Sequence, residues 1–152
     1  MYSPHGAGIV VAKEHRDDAF GEYLSIRIAH SKMTLMVPAV AAKEKGVRSI
    51  ISKTAADKLI KELGGDANEL AENPQLRARQ AADKTRGGEV EQLASIIRDF
   101  AGRKADGKKL SASESKSVQT ATLMLASEIA LALDIDIAAA TEQLEGAVKT
   151  AE

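Results

Sequence analysis

The sequence predicts an α+β protein in which a small antiparallel β-barrel is followed by an all-α helical bundle. The first observation is a change of apolar period, from alternation in the opening third to helical spacing from residue 52 onward. The second is composition, because aromatic residues make up only 3% of the chain and Trp is absent. A core of Leu, Ile, Val, Met and Ala suits helices well. We therefore expect two modules, residues 1–51 and residues 52–152.

Three short strands are predicted in the first module. Residues 9–12 follow a glycine-rich turn, and residues 24–29 alternate apolar with small or polar side chains, as in a half-buried strand. Residues 33–37 continue the alternation, and Pro38 ends it because proline cannot donate a hydrogen bond to a sheet. Short strands joined by charged loops favour a small antiparallel barrel.

Helical spacing and terminal signals predict the helices of the second module. The starts are marked by Thr54 to Asp57, Asn73-Pro74 and the capping box Ser111 to Glu114, and the ends by Gly64-Gly65, Gly87-Gly88 and Gly107. A last amphipathic helix follows from Ile137. The helix that ends at Leu133 is apolar around most of its circumference. We expect it to be the buried centre of the bundle.

The charge distribution says more than the net charge of −1. Residues 71–116 contain 10 basic and 7 acidic side chains, whereas residues 117–152 contain 1 basic and 6 acidic side chains. Phosphate neutralisation supplies most sequence-independent affinity for nucleic acid. A near-neutral chain with a basic middle therefore favours weak, assisted DNA binding over autonomous binding.

The sequence contains no pattern typical of an enzyme or a metal protein. Cys is absent, which excludes disulfides, thiolate metal ligands and a Cys nucleophile. His5, His15 and His30 are scattered and short of carboxylate neighbours, so we expect turn or surface residues rather than ligands. No long apolar run or signal pattern is present, which predicts a soluble cytoplasmic protein without a membrane partner.

Several short motifs follow one another along nearly the whole chain. They are residues 4–11 (PHGAGIVV), 22–28 (EYLSIRI), 33–39 (MTLMVPA), 46–48 (GVR), 88–90 (GEV), 97–100 (IRDF), 110–114 (LSASE) and 125–132 (LASEIALA). In this order they resemble the CarD/CdnL family of bacterial transcription regulators. The resemblance implies a Tudor-like module that binds the RNA polymerase β subunit. It also implies a helical domain that contacts promoter DNA at the upstream edge of the melted region and stabilises the open complex.

The resemblance also bears on cofactors, location and the start of the chain. It implies no cofactor, no metal and no catalysis, and we expect a monomer associated with the nucleoid. Relatives begin with a further strand before the turn at Pro4, whereas this sequence starts at Met1. Either the start is misassigned or the barrel lacks its first strand.

Three residues are the expected polymerase contacts. Arg16 matches a basic family position that faces the polymerase, and Arg27 lies on the polar face of its strand. Met36 stands where relatives usually carry an Arg. Pairing of two sheet edges would supply main-chain hydrogen bonds, and such side chains would tune the contact. The alternative for each charge is an ordinary solvated surface residue.

The expected DNA contacts are Pro74, Leu76, Arg77, Arg79 and Lys116. By alignment back from residues 88–90, Pro74 stands where many relatives carry a Trp that wedges into the minor groove. Proline and leucine also serve as minor-groove wedges. Arg77, Arg79 and Lys116 would contact phosphates, assisted by the helix start at Ser111. The alternative is that Pro74 only starts a helix and the charges are solvated.

Two other interpretations of the whole chain stay open. A polymerase-binding adaptor or competitor could lack the promoter wedge altogether. A structural homo-oligomer could form through the Leu- and Ala-rich residues 123–133. A small enzyme is the least favoured class, because no nucleophile, base or paired carboxylates stand together.

Overall fold

The computed structural model describes residues 1–149 and places three strands before five α-helices. The strands are β1 (Gly8–His15), β2 (Glu22–Ile28) and β3 (Thr34–Pro38), and a short 3-10 helix covers Ala39–Ala41. The helices are α1 (Lys53–Glu62), α2 (Pro74–Gly87), α3 (Val90–Ala105), α4 (Ala112–Leu133) and α5 (Ile137–Lys149). The predicted α+β order is confirmed. Ser52 caps α1 with its side chain, which corrects the start predicted at Thr54, a residue inside the helix. The boundary between the two modules stays a prediction.

The strands form one antiparallel sheet in the order β1-β2-β3. Ile26 on the central strand lies opposite Val10 on one side and Leu35 on the other, and β1 is irregular between Val10 and Ala12. Across residues 1–149 the sheet stays open, so the predicted closed barrel is corrected. Three strands are too few to curl round and pair the first with the last. The Tudor-like assignment stays a prediction.

One face of the sheet covers a small apolar core. Ile26, Ile28, Val37 and Ala42 are buried there, and Tyr2, Leu24, Leu35 and Val47 pack around them. Because strand side chains alternate between faces, the opposite face carries Tyr23, Ser25 and Arg27 of β2 together with Met36 of β3. This opposite face is therefore free to carry a binding surface.

The helical bundle is built around α4, as predicted. This helix packs against α1, α2, α3 and α5, and its residues 124–130 are all buried. Within residues 123–130 only Leu123 is substantially exposed, at 45%. The apolar face considered for self-association is thus used inside the bundle, because the surrounding helices need it as their core. The burial of residues 124–130 argues against self-association through them, and the oligomeric state stays a prediction.

A buried carboxylate joins the two modules. Glu128 on α4 is fully buried and accepts hydrogen bonds from Arg48 at 2.6 and 3.0 Å and from the Ile51 amide at 3.0 Å. Arg48 also donates to the Gly88 carbonyl, 3.0 Å away. One residue earlier on α4, the Ser127 hydroxyl accepts the Ala7 amide at 2.9 Å. The sheet module, the end of α2 and the centre of α4 therefore meet at one polar cluster.

Gly88 is required where α2 ends against the N-terminal turn. Its backbone adopts φ +70°, a left-handed conformation that terminates the helix and that glycine adopts at the lowest cost. A Cβ there would also overlap the Ser3 hydroxyl and lie 2.5 Å from the Ser3 Cβ. Ser3 itself donates to the Arg86 carbonyl at 2.6 Å. The N-terminal turn and the end of α2 are therefore in direct contact.

Of the helices in residues 1–149, not one combines the length and the apolar content needed to cross a bilayer.

Replacing Glu128 with Leu should destabilise the protein by about 2–3 kcal/mol, because it leaves Arg48 and the Ile51 amide without their acceptor. The value lies below that of a fully buried pair, since the Arg48 side chain keeps 27% exposure. Urea denaturation measures the loss. The double variant Arg48→Met/Glu128→Leu should be more stable than Glu128→Leu alone, because no uncompensated charge remains. Equal stability of the single and double variants would contradict an energetic coupling between Arg48 and Glu128.

Candidate functional site

Asp18 organises the turn between β1 and β2. Its carboxylate accepts hydrogen bonds from the Phe20 amide at 2.9 Å, the Gly21 amide at 3.1 Å and the Tyr23 hydroxyl at 2.9 Å. The Phe20 amide, followed by the Tyr23 hydroxyl, holds the pKa of Asp18 below its ordinary value. The turn is therefore ordered while the Phe20 ring stays 51% exposed.

Arg16 connects this turn to β3. Its guanidinium lies 5.2 Å from the centre of the Tyr23 ring, in cation–π geometry, and donates to the Met36 sulfur at 3.2 Å. The Tyr23 ring also meets Phe20 edge to face, with ring centres 6.4 Å apart. We call Arg16, Phe20, Tyr23 and Met36 the sheet surface. It brings together two of the expected polymerase contacts, Arg16 and Met36.

Arg27 lies on the same face of the sheet, further along β2. It is exposed and stands opposite Ile9 and Thr34 on the neighbouring strands. Ile9 is 50% exposed, so this end of the face is also partly apolar. Exposed aromatic, Met and Arg side chains are the types enriched at protein interfaces. The sheet surface is therefore suited to binding another protein.

Sequence reasoning missed Phe20 and Tyr23 as members of this surface. The available signal was Asp18 in front of Phe20-Gly21, since Asp often bonds the backbone amides that follow it in a turn. Only the fold shows that this turn lies beside β3, where Arg16, stacked on Tyr23, also reaches the Met36 sulfur.

Arg77 is buried rather than exposed, which corrects its assignment as a phosphate contact. The side chain is 4% exposed, and its Nε donates to the carboxylate of Glu114, which is fully buried on α4. Its Nη1 donates to the carbonyls of Ala71 at 2.8 Å and Glu72 at 3.1 Å. A guanidinium held in this way cannot also reach a phosphate in solvent.

Glu114 bonds both helices at once. Its side chain accepts the Ser111 amide at 2.7 Å, and the Ser111 hydroxyl accepts the Glu114 amide at 3.2 Å, which is the capping box predicted from the sequence. The Ser111 side chain is therefore committed to its own helix. Because Glu114 belongs to the first turn of α4 and Arg77 to the first turn of α2, the two helix starts lie side by side.

The two helices run in the same direction. Their starts meet at Arg77 and Glu114, and further along, a Cβ on Gly88 would lie 3.4 Å from the end of Met124. Parallel helices place their positive dipole ends at one edge of the bundle, which favours anions there. This edge carries Pro74, which follows the Asn73 cap, and Leu76, which is 47% exposed.

A groove of about 460 Å³ runs between the two helices. Its walls are Ala78, Ala82 and Arg86 from α2 and Ser113, Lys116 and Thr120 from α4. Arg79 and Arg86 are seven residues apart and thus on one side of α2, where both form ion pairs with Asp83. We call this groove, with Arg79 beside it, the α2–α4 groove. Sequence reasoning had not assigned Arg86 to it, because only the helix pairing identifies the wall.

The histidines take part in local structure. The His30 ring nitrogen Nε2 lies 2.6 Å from the His5 carbonyl, and the exposed His15 lies 3.6 Å from Asp17. Within residues 1–149, His, Asp and Glu side chains form no group of three or more that could hold a metal ion.

Two comparisons with known proteins agree. Residues 58–145, more than half of the chain, match the family described as CarD, C-terminal domain. The chain is also 30% identical over 132 residues to the putative transcription factor YdeB of Bacillus subtilis (strain 168), and the alignment covers 85% of each protein. The family match begins within α1 and ends within α5, so it includes the whole α2–α4 groove.

Acid should destabilise the protein partly through Glu114. Burial alone would raise the pKa of Glu114, but the Ser111 amide and the Arg77 guanidinium together outweigh it and hold this pKa below its ordinary value of 4.5. A lowered pKa in the folded state means stability that is present above pH 4.5 and lost as the pH falls through the folded pKa. Urea denaturation at several pH values should show this loss in the wild type. Glu114→Gln should be less stable at neutral pH, and its stability should fall less below pH 4.5; an unchanged slope would contradict the assignment.

Proposed function

The chain belongs to the CarD family of transcription regulators, as its motifs predicted, and from this premise we propose that it acts on RNA polymerase at promoters. In this proposal the sheet module binds the polymerase β subunit. The helical module contacts promoter DNA near the upstream edge of the melted region and stabilises the open complex. The observation that carries the proposal is the presence of two chemically different exposed surfaces on modules joined through Glu128 and Arg48.

The sheet surface supports the polymerase contact. Arg16, Phe20 and Met36 expose charge, aromatic area and a polarisable sulfur within one cluster. Arg27 lies along the same face and extends it. The edges of an open sheet also present unpaired main-chain groups, to which a polymerase strand can add.

The α2–α4 groove supports the DNA contact. Lys116 is exposed in its wall, and Arg79 and Arg86 stand beside it with side chains 83% and 72% exposed. Such side chains contact phosphates and fix the position of a protein on DNA without reading its sequence. Pro74 and Leu76 lie at the exposed start of α2, and Leu76 is the apolar side chain available to enter a minor groove.

The DNA contact is expected to be weak without polymerase. Asp83 partly neutralises both Arg79 and Arg86, and the whole chain has a net charge of −1. Binding to polymerase would hold the groove close to the promoter, which raises its effective concentration there. If the groove favours melted over closed DNA by about 1.4 kcal/mol, the equilibrium shifts about tenfold toward the open complex.

In this role the protein works as a monomer, without a cofactor or a catalytic step, in the cytoplasm at the nucleoid. A second candidate function is that of a polymerase-binding adaptor or competitor that does not act on promoter DNA. It is favoured by one observation, namely that Pro74 serves as the first residue of a capped helix at the expected wedge position. The two functions differ in whether open-complex lifetime responds to the protein.

Removing the side chains of Arg16 and Met36 should weaken polymerase binding. The double variant Arg16→Ala/Met36→Ala loses the guanidinium over Tyr23 and the sulfur that it contacts, and we expect affinity to fall at least about tenfold. Biolayer interferometry with the isolated β-subunit lobe measures this affinity. Lys61→Ala, an exposed position on α1, is the matched control and should bind like the wild type. Wild-type affinity of the double variant would remove the sheet surface from the interface.

Removing Arg79 and Lys116 should shorten the life of the open complex at a responsive promoter. Loss of two phosphate contacts should also reduce the salt dependence of the DNA contribution by about 1.8 in log–log slope. Heparin-challenge dissociation of open complexes at several salt concentrations gives both quantities. The control Lys53→Ala/Lys61→Ala makes the same change of charge on α1. An equal loss in both double variants would indicate a general charge effect rather than a contact.

A further inference from the structure

Arg77 is the one large side chain that α2 buries. The buried residues of this helix, which lies wholly within the described chain, are Arg77, Ala81 and Thr85. Ala and Thr present little surface, so apolar packing defines the position of α2 only weakly. The first turn of the helix depends instead on the hydrogen bonds of one guanidinium.

These bonds connect three segments of the chain. Nε of Arg77 donates to Glu114 in the first turn of α4, and Nη1 donates to the carbonyls of Ala71 and Glu72, directly before the Asn73 cap. Asn73 then accepts the amides of Gln75 and Leu76 at 2.9 and 3.1 Å. The start of α2 is therefore held to the start of α4 through a single rigid, planar group.

We propose that Arg77 is a positioning residue for promoter contact: it fixes Pro74 and Leu76 at the start of α2 relative to Lys116 on α4. The inference rests on the proposed function, because it concerns how the α2–α4 groove and its edge meet DNA. Arg77 does not touch the DNA in this account. It acts through Glu114 and through the two carbonyls that precede the helix.

A purely stabilising role does not account for this arrangement. A buried ion pair often contributes no more stability than apolar side chains of the same size would. Apolar side chains, however, could not bind the Ala71 and Glu72 carbonyls, and the segment before the helix would then lack an anchor. The arrangement therefore holds Pro74 and Leu76 in a defined position at the exposed start of α2. A side chain that inserts beside melted DNA needs such a fixed position.

The variant Arg77→Lys separates geometry from charge. Lysine keeps the charge opposite Glu114 but lacks the planar fork, so it cannot also hold the carbonyls of residues 71 and 72. We expect a folded protein with wild-type polymerase affinity. Hydrogen exchange of the amides in residues 71–76 should increase about tenfold, because this segment opens locally. The effect on open-complex lifetime should fall to about that of Arg79→Ala/Lys116→Ala.

The control for lost stability is Leu144→Val, a large-to-small change at a fully buried position of α5. It should lower the denaturation midpoint but leave both the exchange of residues 71–76 and the promoter effect unchanged. If this control lost the promoter effect as well, the role of Arg77 would be stability alone and the inference would be overturned.

Two further results would overturn the positioning role. One is unchanged exchange of residues 71–76 in Arg77→Lys, which would mean that the fork does not hold the segment. The other is faster exchange with a full promoter effect. Failure of the proposed function gives a different pattern, in which wild-type protein itself does not alter open-complex lifetime; the inference then fails with it, whatever the exchange shows.

Discussion

The structure depends on the burial of the Glu128 carboxylate at the centre of α4. A buried carboxylate must find donors, and here they come from Arg48 and from the Ile51 amide in the segment between sheet and helices. Arg48 also donates a hydrogen bond to the Gly88 carbonyl, so the end of α2 is held in the same network. The sheet module therefore cannot move relative to the bundle without leaving a buried charge unpaired, and the two proposed binding surfaces keep one spatial relation.

The same helix carries a second buried carboxylate, Glu114, at its first turn. At a rise of 1.5 Å per residue, the 14-residue separation of the two carboxylates corresponds to about 21 Å along the helix. Glu128 bonds the sheet module and Glu114 bonds the start of α2. Helix α4 therefore fixes the distance between the surface proposed to bind polymerase and the surface proposed to contact DNA. A rigid spacer lets binding at one surface raise the effective concentration at the other.

Local patterns predicted much of this protein. Alternation located β2 and β3, and the glycine-rich turn located β1. The Asn73-Pro74 start and the Ser111 capping box formed as expected, since these caps depend on neighbouring residues only. The same reasoning wrongly assigned Arg77 to the surface. In a polar helix, a buried charged residue and a solvent-exposed charged residue have the same sequence pattern. Its burial depends on Glu114, which is 37 residues away along the chain. Phe20 and Tyr23 were missed for the same reason, since β3 completes their surface.

The sequence by itself determined the order of strands and helices, most helix ends and the family, because these follow from periodicity, capping and short motifs. Tertiary structure decided whether the sheet closes, which charges are buried and where the groove lies. The physical reason is the separation of the interacting residues along the chain. A hydrogen bond within one helical turn joins residues that are close in sequence, so a local pattern predicts it. The cost of burying Arg77 or Glu128 is offset only by partners that folding brings from distant parts of the chain.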